Sequence, residues 1–334
     1  MKFITRGYNN IRLEADNGTV IKTSSNPKLK DEINYLQLIG GLSEPYLELL
    51  FPRLVRYQLS ALPYQLELEF YPYKNLGNYI TDTEQYDEVF WTDVLNLLFT
   101  TVERMKRVTS PLERSIFEKH CQSMFIEKTL REYGNLKEGF PFFGELAKIK
   151  TISINDVPYQ NFEEIWESVL EKIYQVIESE KSFNVIHGDM CFSNILLGED
   201  ITTGTKTIKL IDPRGSFGSR GVYGTTLYDY AKLRHSVSGA YEFFIYDKFE
   251  ISRAEGSHSE FFLKTEETSN KRICQKLFAQ KFVADPKKLK HIKLIEGLIF
   301  IGMCARHYDS LERQKAMYLT GIKILNEVIN ENLC

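Results

Sequence analysis

Over its first seventy or so residues the chain reads as short alternating apolar and polar runs interrupted by one helical repeat. Ile11 to Glu14 and Val20 to Thr23 flank Asp16-Asn17-Gly18, whose chemistry predicts a tight hairpin turn. Ser24-Ser25-Asn26-Pro27 then offers capping side chains and a proline suited to a first helical turn. The helix that follows carries Leu29, Ile33 and Leu36 on one face and is predicted to stop near Gly40-Gly41. Val55 to Leu59 and Leu66 to Phe70 predict two further strands, and Tyr71-Pro72-Tyr73 reads as a hinge beyond them.

After the hinge the period becomes helical. Trp91, Val94, Leu95, Leu98, Val102 and Met105 share one face, as do Ile165, Trp166, Val169, Leu170, Ile173 and Ile177. Met317, Ile322, Leu325 and Ile329 predict a closing helix. Residues 110–160 pattern unevenly and are expected to be an insertion. A length of 334 residues, with 43% hydrophobic and 26% charged positions, suits a globular chain of two lobes. Nothing in the formal charge of -3 suggests a nucleic-acid binder, and none is expected as partner. Five cysteines without CxxC spacing favour neither a disulfide framework nor a zinc site. No apolar run is long enough to span a bilayer and none resembles a signal peptide, so a cytoplasmic setting is expected.

One segment brings chemistry. Phe183 to Ile186 is an apolar strand, His187-Gly188-Asp189 begins a polar loop that reaches Asn194, and Ile195-Leu196-Leu197 opens another strand. A further strand, Thr207 to Ile211, ends on Asp212-Pro213-Arg214-Gly215. A hairpin between these strands would bring Asp189, Asn194 and Asp212 together. Phosphoryl transfer needs such a set, because positioning and charge neutralisation dominate it. Magnesium takes hard oxygen ligands and keeps several waters, so Asn194 and Asp212 suffice as protein ligands. Asp189, free of metal, can orient a hydroxyl and take its proton as general base. His187 either braces the loop backbone or joins the chemistry.

His187-Gly188-Asp189 through Asn194, followed by Ile211-Asp212, resembles the catalytic loop and metal-binding aspartate of the aminoglycoside phosphotransferase and choline kinase superfamily. The likeness is sharp over about thirty residues. It implies an α+β, two-lobed, protein-kinase-like fold. Residues 1–72 would be a mainly antiparallel β lobe for the nucleotide, and 73–334 a mainly helical lobe for catalysis and the acceptor. It further implies ATP and Mg²⁺ as cofactors, with adenine against the backbone near Phe70, Tyr71 and Tyr73. Such a fold pairs a strand lysine with a helix glutamate. Glu32 shares the helix face of Leu29 and Leu36, where a buried carboxylate needs a cation, and Lys22 is the candidate; an exposed lysine and a partly exposed glutamate are the bland alternative. The phosphate-covering loop would fall at Thr5 to Asn10, which has only one glycine. Asp229 would anchor the catalytic loop, and its closeness to Asp212 with no Ala-Pro-Glu beyond argues against a protein kinase.

Arg214 departs from the superfamily pattern. It either neutralises phosphate or an acceptor, or fixes its own loop. Residues 271–293 carry eight Lys or Arg against one Asp; with Arg214, Arg220 and Arg306-His307 they tilt the acceptor away from cationic drugs. Asp212-Pro213-Arg214-Gly215, with Ile152 to Tyr159 and Ala305-Arg306-His307-Tyr308, also resembles kinase-like proteins of bacterial capsule and surface-polysaccharide pathways. That implies a hydroxyl acceptor among sugars or sugar alcohols. An amino alcohol or aminoglycoside is the alternative substrate, and a nucleotide-binding pseudokinase that regulates or scaffolds is the alternative function.

Overall fold

The computed structural model describes residues 2–4, 12–16, 18–200 and 202–331. Its amino-terminal part is an antiparallel sheet of β1 (Lys2–Ile4), β2 (Arg12–Asp16), β3 (Thr19–Ser24), β4 (Leu54–Gln58) and β5 (Tyr64–Glu69), in the order β1-β2-β3-β5-β4. Asp16 pairs with Thr19, so β2 and β3 close the two-residue hairpin expected there. Gly18 lies at φ +81°, whereas Asn17 is outside the described residues.

Helix α1 (Lys28–Gly40) follows β3 directly. Asn26 Oδ1 accepts from the Lys28 amide at 3.0 Å, one of the donors a helix start leaves unmet. Strand period decides what α1 covers. Val20 pairs with Leu68 and Lys22 with Leu66, so Lys22 shares the sheet face of two buried leucines, which meets Leu29, Glu32, Ile33 and Leu36 of α1.

The rest is mainly helical. Helices Glu88–Lys106, Phe162–Ser179, Thr226–Val237, Pro286–Ile301 and Leu311–Asn330 enclose a core that is continuous with the one beneath the sheet. The expected helices near 91–105, 165–177 and 317–329 are among them. Residues 110–160 fold as short helices, a π-helical turn Ser123–Glu127, and a hairpin Thr151–Ile154 with Val157–Gln160. Several short elements in succession account for the uneven pattern there.

The hairpin Ile195–Glu199 with Lys206–Leu210 sits between the two parts. On its free side Leu196 pairs with Asn75 and Leu197 with Lys74, which ties the chain just after Tyr71-Pro72-Tyr73 to the helical lobe. On the other side Lys209 Nζ reaches the Leu49 carbonyl at 2.7 Å, so the hairpin also touches the sheet lobe. The architecture is thus α+β and two-lobed. Among the described residues no helix is long and apolar enough to cross a membrane.

Candidate active site

Between the lobes a cavity of about 330 Å³ opens, and Glu32, Asp189, Asn194, Asp212 and Arg214 all border it. The loop of residues 187–194 is held from below by helix Thr226–Val237. Asp229 accepts the His187 amide at 2.8 Å and the Gly188 amide at 2.7 Å. Burial pushes the Asp229 carboxyl up to about 7 despite those two donors. Gly188 has φ +76°, and a Cβ there would stand 2.8 Å from Arg214 Cβ, so the turn requires glycine.

His187 is fully buried. Its Nδ1 accepts the Asp189 amide at 3.2 Å, and Nε2 donates to the Ile211 carbonyl at 3.0 Å. A single neutral tautomer satisfies both contacts. Burial lowers its pKa to about 4 and keeps it in that form. Of the two possibilities for His187, the geometry gives the brace: it links the Asp189 loop to the strand that ends at Asp212.

Asp189 Oδ1 meets Lys232 Nζ at 2.8 Å. Burial raises the Asp189 carboxyl, but the Lys232 ammonium outweighs it and holds the group below the usual carboxylate range. Asn194 donates its amide N–H to the Asp189 carbonyl at 2.9 Å, leaving Oδ1 as an acceptor. The Ile211 amide donates to the Asn194 carbonyl, which brings Asp212 alongside. Asp212 takes the left-handed conformation, φ +57°, unusual for a residue with a side chain and frequent at functional sites. Its carboxylate pairs with Lys22, which also meets Glu32 Oε1 at 2.6 Å. Lys22 and Glu32 are both buried, as the helix-face argument required.

The hinge residues lie apart from this cavity. Phe70 is exposed and its amide donates to the Gly18 carbonyl; the Tyr71 hydroxyl donates to Glu69. Tyr73 packs its ring against Gly198 of the hairpin. The loop of residues 5–10 lies outside the described residues. The basic run 271–293 does not reach the cavity: Lys271, for example, is buried against Thr265 and Glu267. Arg220 pairs with Asp31 on the surface, whereas Arg214 and Arg306 do border the cavity. The hairpin of Ile152 to Tyr159 is remote from it, in a sheet with Glu260–Thr265.

Sequence reasoning passed over Lys232, Ser236 and Glu242. Ser236 Oγ accepts the Phe192 amide at 2.9 Å and donates to Glu242, and Glu242 also accepts the Ser193 amide. A signal existed. Asp229, Lys232 and Ser236 stand three and then four residues apart, a polar stripe on a helix that is otherwise almost wholly buried.

For a magnesium ion, Asp212 and Asn194 Oδ1 are hard oxygen donors facing one space. Among the described residues there is no group of three or more His, Cys, Asp or Glu able to hold a metal. A cation that keeps most of its waters fits the set, and one needing a full protein cage does not.

The GDP complex of an aminoglycoside 2'-phosphotransferase-IIIa variant is similar to this chain at 13% identity and a TM-score of 0.52, over 97% of this chain and 89% of that one. An aminoglycoside-3'-phosphotransferase of type VIII (13% identity, TM-score 0.49, 89% and 93% covered) and the choline kinase LicA from Streptococcus pneumoniae (14%, 0.48, 97% and 93%) are also similar. At 13% identity the likeness to the first of these is one of fold, the two-lobed kinase-like fold. No family model and no curated protein sequence matches the chain.

Proposed function

We propose that the chain transfers the γ-phosphoryl group of ATP, with Mg²⁺, to a hydroxyl of a small molecule. The observation that carries this reading is the convergence of Asp189, Asn194 and Asp212 on one cavity, with the Lys22–Glu32 pair reaching Asp212 from the opposite lobe. In this reading residues 1–72 are the nucleotide lobe, residues 73–334 the catalytic and acceptor lobe, and 110–160 an insertion in it.

Asp189 is the general base. Lys232 occupies Oδ1, so Oδ2 is the oxygen left to accept the hydroxyl proton and aim the nucleophile. Lys22, held by Glu32, is placed to meet phosphate oxygens once a nucleotide enters. Asn194 and Asp212 would hold the magnesium, which supplies charge neutralisation for the transferring group. The backbone at Phe70, Tyr71 and Tyr73, outside this cavity, would meet the adenine, an assignment that rests on the family resemblance. Arg214 borders the cavity two residues after Asp212 and is placed for phosphate or acceptor.

A sugar or sugar alcohol is favoured as acceptor over an amino alcohol or aminoglycoside, because Lys28, Lys128, Arg214 and Arg306 border the cavity and repel a cationic substrate. A role in surface-polysaccharide metabolism rests on the sequence likeness around Asp212 to Gly215 alone, and a cytoplasmic site on the sequence reading alone.

The test is an ATP-consumption screen across sugars, polyols, amino alcohols and aminoglycosides. Asp189→Asn is expected to cut turnover by about 10²–10⁴-fold while Mg²⁺–ATP still binds. Undiminished turnover in that variant overturns the base assignment. Nucleotide binding without turnover on any acceptor favours the pseudokinase.

A further inference from the structure

Beside Asp31, Glu32, Asp189 and Asp212, the cavity is bordered by five cations, of which Lys232 is taken by Asp189. Lys28 enters from the first turn of α1, Lys128 from helix Lys128–Gly139, Arg214 from the loop after Asp212, and Arg306 from a short turn near the carboxyl terminus. Four separate segments thus deliver a cation each to one space, which is not how a solvated basic helix face is built. Arg306 is offset by Glu132 at 2.8 Å. Arg214 makes no ion pair among the described residues, although its charge helps to keep Asp189 ionised: its guanidinium donates to the Ser216 carbonyl and, at longer range, faces the Tyr228 hydroxyl and Met124 Sδ.

Lys128 is the most telling of the four. Among the described residues its ammonium has neither a carboxylate within ion-pair distance nor a hydrogen bond. Lys128 is part-buried; partial desolvation, then Arg214, Arg306 and Lys232, push its pKa well below the ordinary lysine value, against Glu132, which raises it. Lys28 is exposed on the rim; partial desolvation, then Arg306 and Arg214, lower its pKa to about 8, against Asp189 and Glu132, which raise it. The π-helical turn Ser123–Glu127 ends immediately before Lys128 and presents Met124 to Arg214; such turns interrupt helices most often at functional positions. Nothing structural is gained by gathering mutually repelling cations around a void. An anion in the void turns each repulsion into attraction.

We infer that the part of the cavity these four cations border is a subsite for an anionic group on the acceptor, a phosphate or a carboxylate, held by Lys128 and Arg214 with Lys28 and Arg306 at its rim. The inference rests on the kinase reading of the same cavity and narrows it: the acceptor is a hydroxylated small molecule that already carries negative charge, such as a sugar phosphate or a sugar acid. Its anion lies on Lys128 while its free hydroxyl faces Asp189. No bond to the anionic group forms or breaks. The subsite is assigned to the acceptor and not to the nucleotide because Lys128 interacts with Lys232, the partner of Asp189, whereas Lys22 pairs with Glu32 and Asp212.

The experiment uses the full chain with Mg²⁺ and a saturating non-hydrolysable ATP analogue, so that added anions cannot report the nucleotide site. Inorganic phosphate is titrated calorimetrically, with acetate and citrate as carboxylate arms. The expected result is phosphate or carboxylate binding that Lys128→Gln weakens on the order of tenfold and Lys128→Arg largely preserves. Lys28→Gln, on the opposite lobe, is expected to weaken it less. The stronger arm decides between phosphate and carboxylate. Nucleotide affinity unchanged in every variant shows that the fold is intact. Anion binding that is absent, or indifferent to Lys128→Gln, in a protein that still binds Mg²⁺–nucleotide overturns the subsite and leaves the kinase reading standing. Failure to bind Mg²⁺–nucleotide overturns the kinase reading, while Lys128-dependent phosphate binding in that same protein still supports the anion subsite.

Discussion

Asp189 and Lys232 are 2.8 Å apart, and the pair sets how the proposed base responds to pH. Its carboxyl already sits below the usual range, so Asp189 stays ionised, and able to accept a proton, down to low pH. Lys232→Met removes the ammonium and keeps the burial, which by itself raises the carboxyl. The acid limb of the rate–pH profile is then expected to move up by about one to three pH units. Lys232 acts through Asp189 and is a positioning residue, so this shift separates it from a residue that only fills space. An unmoved acid limb in Lys232→Met refutes the coupling. Asp189 and its neighbours Asn194 and Asp212 were legible in the sequence because short strands deliver them at fixed spacings. Lys232 was not, since its value depends on which helix lies under the loop.

Helix α1 and the loop after Asp212 are coupled through Gly215. Its φ is +67°, and a Cβ there would stand 2.2 Å from the Asp31 carbonyl, inside the first turns of α1. Gly215→Ala is therefore expected to cost about 2 kcal/mol or more, from the left-handed backbone and from displacing α1. Because Glu32 lies one residue beyond Asp31, the same variant is expected, on the proposed function, to raise KM for ATP. A chemical-denaturation midpoint and a nucleotide titration check the two effects. The helix of Asp229 is coupled to the loop in a different way. Asp229→Asn replaces one acceptor oxygen by an amide that faces a backbone donor, costing about 1–3 kcal/mol and slackening residues 187–189. Thermal unfolding and kcat read that loss together. The elements themselves were well read from periodicity: α1, β2–β3 and the long helices fall close to where their apolar spacing places them. Residues 110–160 were not, because several elements too short to show a period follow one another there.

At the scale of the molecule, polar contacts join the lobes above a shared apolar core. Lys22 reaches Asp212 across 190 residues, Arg220 pairs with Asp31, and the Tyr35 hydroxyl donates to the Ile186 carbonyl at 2.9 Å. On the proposed mechanism Mg²⁺–ATP binds both lobes and only the folded chain. It should therefore stabilise the protein by about 2.7 kcal/mol at a hundredfold excess over Kd. Asp212→Ala is expected to lose most of the magnesium-dependent part of that gain. A thermal-shift titration with ATP, with and without Mg²⁺, measures both. Equal stabilisation in the two conditions speaks against metal ligation by Asp212.

The sequence by itself determined the local features: the hairpin turn before Gly18, the capped start of α1, the buried face that forces Glu32 to find a cation, and the strand ends that carry Asp189, Asn194 and Asp212. Each follows from the period of a single element and the chemistry of its few residues. Only the tertiary structure decided what gathers around them. It laid helix Thr226–Val237 beneath the loop, so that Asp229 holds the backbone and Lys232 the carboxylate. It left the basic run 271–293 away from the cavity and brought Lys28, Lys128, Arg214 and Arg306 into it. Charge counted along a chain cannot separate those two groups of cations, because the field at a site depends on distances between segments, and those exist only after the lobes have packed.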